Sequence, residues 1–116
     1  PPPPPGGQGC TPGYWKQQQH FDSWKSPYTP ATSFEAVFGR DVPGTPTLLN
    51  ALKLGGGGLD ALMRHSVAAL LSSVSVNYGM SSSAVIARFQ AAFDSQNYEP
   101  TKNLFDQMNN AGCPLN

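Results

Sequence analysis

Two histidines, His20 and His65, are the side chains that chemistry near neutral pH would use first, with Asp22 and Asp60 as nearby carboxylates in the chain. A zinc site needs about three protein ligands held at helical or turn spacing. No HxxxH or CxxC spacing occurs in this chain. His65 falls among small residues on a helix, where a histidine ordinarily bonds a backbone carbonyl. Serines are frequent, yet none sits in a Gly-x-Ser-x-Gly elbow, so no nucleophile can be assigned. Gly55-Gly56-Gly57-Gly58 stands ahead of a helix, the position of a phosphate-binding loop. A P-loop continues with Lys and Ser or Thr. Here Leu59 and Asp60 follow, and Asp60 would repel an anion. Close backbone packing or a tight reversal between two helices is the expected reason for the glycines. The residues therefore predict no catalytic group, no metal and no cofactor, and the chain does not read as an enzyme.

A second candidate is the run of rings between residues 14 and 28: Tyr14, Trp15, Phe21, Trp24 and Tyr28. Such clusters stack sugars or bases in some proteins and pack cores in more. Nucleic acid is excluded on charge, because 7 basic and 7 acidic residues leave a net charge of zero.

The elements that hold these residues are helical. Positions 59, 62, 63, 66, 67, 70, 71 and 74 carry Leu, Leu, Met, Ser, Val, Leu, Leu and Val, which is one face of a helix. The opposite face holds Ala61, His65, Ala68, Ala69, Ser72 and Ser73, small enough to let neighbouring backbones approach. A central helix over residues 59–76, opening on Leu59 and closing on Val76, is thus expected to be wrapped on most sides. Thr11 with Pro12 marks a helix entry. Thr32, Ser33, Phe34 and Glu35 have the capping-box pattern before a helix ending at Gly39. Thr47 caps a helix running to Leu54, Ser82 or Ser83 caps another, and Pro100 starts the last, which stops at Gly112. With no period-two alternation, the fold class is all-α: one domain of about five or six short helices around the central one.

The ends of the chain carry compartment information. Cys10 and Cys113 both lie in Gly/Pro turns outside the helical patterns. Paired, they close a loop of about 100 residues, worth roughly 4–5 kcal/mol in the chain-entropy model. Two unrelated free thiols are the alternative. A bond would place the protein in an oxidising, exported location, with any leader removed ahead of this numbering. No stretch approaches the ~20 apolar residues of a membrane span, so no membrane insertion is expected. Charged residues are only 12% of the chain, against roughly 25% in ordinary domains, a surface that favours self-association. No Asn-x-Ser/Thr acceptor occurs, which leaves glycans to the hydroxyl side chains.

Pro1, Pro2, Pro3, Pro4 and Pro5, followed by Gly6 and Gly7, form a short polyproline II rod on a flexible joint. The division expected is an arm over residues 1–9 and a disulfide-closed helical domain over 10–116. The arm is either a plain linker or a contact to another copy.

Cys10-Thr11-Pro12-Gly13-Tyr14-Trp15-Lys16, followed by His20-Phe21-Asp22-Ser23-Trp24, resembles the CTPGYWK-type domain of exported bacterial and environmental cell-surface proteins. Phe34-Glu35-Ala36-Val37-Phe38-Gly39, the Leu54 to Gly58 stretch, Arg64-His65 and the closing Asn109 to Asn116 fit the same pattern. The resemblance implies an extracellular or cell-surface location, often in modular proteins, and no established activity. Two functions follow as expectations. One is a structural subunit that assembles with copies of itself into a surface filament through the proline arm. The other is a monomeric adhesin or glycan-binding module using Tyr14, Trp15 and Trp24. His20, Arg64 and His65 are expected to form polar groups within the core.

Overall fold

Side-chain oxygens set most helix starts in this chain. In the computed structural model, which describes residues 6–115, Thr11 accepts the Tyr14 amide and opens α1, Pro12–Trp15. A 3₁₀ helix, Gln18–Ser23, follows and buries none of its residues. Helix α2, Phe34–Phe38, begins at Ser33, whose hydroxyl accepts the Ala36 amide, and ends at Gly39 in the left-handed region. The expected box from Thr32 to Glu35 does not form. The Glu35 carboxylate instead accepts the Val42 amide at 2.8 Å, holding the loop after α2.

Thr47 and Asn50 make a reciprocal capping box on α3, Leu48–Leu52. Helix α4, Gly58–Ser75, is the central element. Ser81 rather than Ser82 or Ser83 caps α5, Ser82–Ser95, by accepting the Ala84 amide. Helix α6, Glu99–Asn109, carries Pro100 in its first turn and is closed by Asn110, two residues before Gly112. The architecture is all-α, with six α-helices and one 3₁₀ helix among the described residues.

Helix α4 is wrapped as its sequence predicts. Helices α6 and α5 cover most of it, with α3 and α1 on the remaining sides. From Ala61 to Met63 and from Ser66 to Ser72 every residue is buried, so both the apolar and the small-residue faces lie inside. The flank between α2 and α5 is aromatic. Phe34 stacks on Phe38 at 4.4 Å between centroids, and Phe89 meets both edge-on at 5.2 and 5.0 Å. Such pairs add about 0.5–1.5 kcal/mol beyond area burial. Outside them, Arg40 pairs both carboxylate oxygens of Asp94 at 2.8 Å.

The glycine run departs from one expectation. A Cβ at Gly55, Gly56, Gly57 or Gly58 would meet nothing within 4 Å, so the loop is not closely packed. It is a tight reversal: Gly56 and Gly58 have φ of 84° and 63°, which L-residues rarely adopt. The Arg64 guanidinium reaches back to the Leu54 carbonyl at 2.7 Å and the Gly56 carbonyl at 3.3 Å, closing the turn from inside α4.

Residues 6–9 also differ from their assignment to an arm. Gly6 donates to the Asn77 side chain, Gln8 to the Asn77 carbonyl and Gly9 to the Gly112 carbonyl. The domain therefore begins by Gly6. Pro1, Pro2, Pro3, Pro4 and Pro5, the expected assembly arm, lie outside the described residues.

Candidate functional site

The two chain ends meet at one place. Cys10 and Cys113 are bonded across 103 residues, with Cα atoms 4.7 Å apart. Cys10 is fully buried and Cys113 is exposed. Beside the bond, Gly9 and Gly112 form an isolated antiparallel bridge. Gly9 must be glycine, because a Cβ there would collide with the Met108 carbonyl.

The opening motif is then locked onto α4 by one hydroxyl. Ser72 Oγ accepts the Cys10 amide at 3.1 Å and the Trp15 indole N–H at 3.4 Å, and it donates to the Cys10 carbonyl at 3.3 Å. Ser72 is fully buried, and all of its hydrogen-bonding capacity faces this motif. Trp15 is fully buried as well. It offers no face to a sugar, which removes it from the expected binding surface.

The other rings of the cluster are half-buried. The His20 ring lies over Tyr14 at 4.0 Å with 19° between planes. Trp24 meets Trp15 and Phe21 edge-on at 6.4 and 6.1 Å. In a 3₁₀ helix residues three apart share a face. His20 and Ser23 thus turn together onto Tyr14, whose hydroxyl bonds Ser23 at 2.9 Å. The Trp24 indole N–H is spent on the Trp15 carbonyl at 3.2 Å. The Tyr14 hydroxyl and the Trp24 indole thus tie the cluster to the domain, Trp24 and Tyr28 pack against the core, and no large apolar side chain of the cluster is exposed.

His65 has different neighbours. Its Nδ1 lies 3.9 Å from Asp106 on α6, beyond hydrogen-bond length, and its backbone carbonyl accepts the Asn109 side-chain amide at 3.1 Å. Burial pushes its pKa below the ordinary histidine value; Asp106 opposes this, while Arg64 and Lys102 add to it. Asn109 is fully buried and also accepts the Tyr78 hydroxyl at 2.8 Å. Burial drives the Tyr78 phenol well above its usual value, so it remains a donor. His20 and His65 thus serve separate contacts, Arg64 serves the glycine turn, and the three do not form one polar group. Among the described residues no three His, Cys, Asp or Glu side chains gather as a metal site, and no pocket opens.

Two connecting residues escaped the sequence reading. Ser72 appeared only as a small residue, and Asn109 only as part of the closing segment. The signal for Asn109 was its position: it lies four residues after Phe105, on the face α6 turns inward. Comparison with protein-family models, curated proteins and solved structures finds no match.

Proposed function

We propose that this chain is an exported structural subunit that assembles with copies of itself into an extracellular surface filament. The observation that carries the reading is the Cys10–Cys113 bond, which joins the two ends of the helical domain. A disulfide of this kind belongs to an oxidising compartment. The proline segment would supply the contact to a neighbouring copy, and head-to-tail contacts that do not close into a ring propagate as fibres. The low proportion of charged residues and the zero net charge support self-association. The resemblance of residues 10–24 to CTPGYWK-type cell-surface domains supports the location. No membrane span enters the reading, since no described helix is long and apolar enough to cross a bilayer.

The test is electron microscopy with sedimentation, with and without reductant. Filaments that fall apart on reduction are the expected result. A monomer at every concentration would overturn the reading. It would favour a glycan-binding module instead, for which the half-buried Tyr14 and Trp24 rings are the specific support.

A further inference from the structure

The two halves of the Cys10–Cys113 bond stand in opposite surroundings. Cys10 is fully buried, while Cys113 and its neighbours Ala111, Gly112 and Pro114 are exposed. The segments that carry them are also held unequally. Gly6 donates to the Asn77 side chain at 3.1 Å, and Gln8 exchanges bonds with the Asn77 backbone at 3.2 and 2.8 Å. The Ser72 hydroxyl bonds both the amide and the carbonyl of Cys10. Residues 6–10 are thereby fastened to α4 and to the turn after it. Residues 111–115 meet the domain differently. The Ala111 amide donates to the Met108 carbonyl at 3.2 Å, the Gly112 carbonyl accepts the Gly9 amide at 3.0 Å, and Leu115 packs half-buried on the core. The disulfide is their covalent hold.

A thiolate opens a disulfide by displacing one sulfur from the other, and access decides which sulfur it attacks. Displacement is in line, so the thiolate arrives from the side of the attacked sulfur that faces away from the leaving one. For Cys10 that approach would run through the core around it. For Cys113 it comes from the side of the exposed turn. Among the described residues no pocket opens, so nothing past the sulfur selects the thiol and a small monothiol suffices.

We infer that the Cys113 sulfur is a thiol-exchange site, where an external low-molecular-weight thiolate enters and releases residues 111–115 from a helical domain that stays folded. The entering sulfur bonds to Cys113 Sγ as the Cys10–Cys113 bond breaks. The electron pair leaves on Cys10 Sγ, which takes a proton from solvent. The entering thiol is thus oxidised to a mixed disulfide and Cys10 is reduced to a thiol, with no other oxidant or reductant. A thiol buried in apolar surroundings is a poor nucleophile, so Cys10 attacks back slowly and the mixed disulfide persists. The reaction needs one chain only, assembled or not.

The experiment incubates the oxidised full chain with reduced glutathione, in native buffer and in urea that unfolds it. The samples are acid-quenched, alkylated and cut with trypsin, which separates the two cysteines after Lys16 and Lys102. Mass spectrometry then reads which cysteine carries glutathione. In native buffer Cys113 should carry it in excess over Cys10 by more than about tenfold, with the alkylating group on Cys10, whereas urea should bring the two close to equal. Equal labelling in the native protein, or no adduct until the chain unfolds, would overturn the site. ¹⁵N spectra of the adduct read the release. Shifts should change at residues 111–115 and at the Gly9 amide, while the Trp15 indole N–H, bonded to Ser72, stays in place. Loss of that indole signal from its native position would overturn local release, because the whole domain would then have opened.

Discussion

The Ser72 hydroxyl accepts the amide of Cys10 and donates to the carbonyl of the same residue, across 62 positions of sequence. With the Trp15 indole as a further donor, one side chain satisfies three polar groups around the buried half of the disulfide. A buried donor or acceptor left without a partner costs about 1–3 kcal/mol. Ser72→Ala should therefore lower stability by about that amount or somewhat more, read as a lower urea midpoint. An unchanged midpoint would mean that water replaces the hydroxyl.

Reduction of the Cys10–Cys113 bond removes a constraint on the unfolded chain that spans 103 residues. A loss of roughly 2–5 kcal/mol is expected. Because Cys113 is exposed, reductant should reach the bond in the folded protein. Urea melts of oxidised and reduced protein, with thiol titration to confirm the state, measure this directly.

Two glycine positions should respond in opposite directions. Gly9→Ala places a methyl against the Met108 backbone and should cost about 1–3 kcal/mol. Gly55→Ala enters open space, and φ there is not in the left-handed region. It should stabilise the fold by about 0.4–1 kcal/mol through the unfolded chain. Thermal melts of both variants against the parent decide the matter.

Stability should fall on mild acidification through His65. Burial holds its folded pKa below the unfolded value of about 6.5. The unfolded chain then binds more protons, so stability is intact above the unfolded pKa. It is lost as pH falls from there through the folded pKa. Urea midpoints at pH 7.5 and 5.5 should differ, and His65→Gln should shrink the difference. Asp94 adds a separate loss at lower pH, because its bond to Arg40 depresses its carboxyl pKa.

Helix positions were readable because their causes are local. Thr11 and Thr47 act on amides three residues away, and the α4 periodicity repeats every turn. Where caps slipped by one residue, at Ser33 and Ser81, several neighbouring hydroxyls competed, and the choice depended on the preceding loop. Glu35 shows the same limit, since its carboxylate found a loop amide that only the folded turn brings near.

The candidate surface was legible in part. Its rings were visible as a cluster, but the sequence could not separate buried Trp15 from half-buried Trp24. Both are tryptophans in the same short segment, and only docking on α4 distinguishes them.

By itself, then, the amino-acid sequence determined the all-α class, the central helix, the turn at the glycines and two cysteines placed to pair. These depend on propensity, periodicity and caps within a few residues. Tertiary structure alone decided that Arg64 closes the glycine turn, that Asn109 joins Tyr78 to the His65 carbonyl, and that residues 6–9 belong to the domain. Those contacts join polar groups of segments folded separately, and the partner of a buried polar atom exists only once the helices have packed.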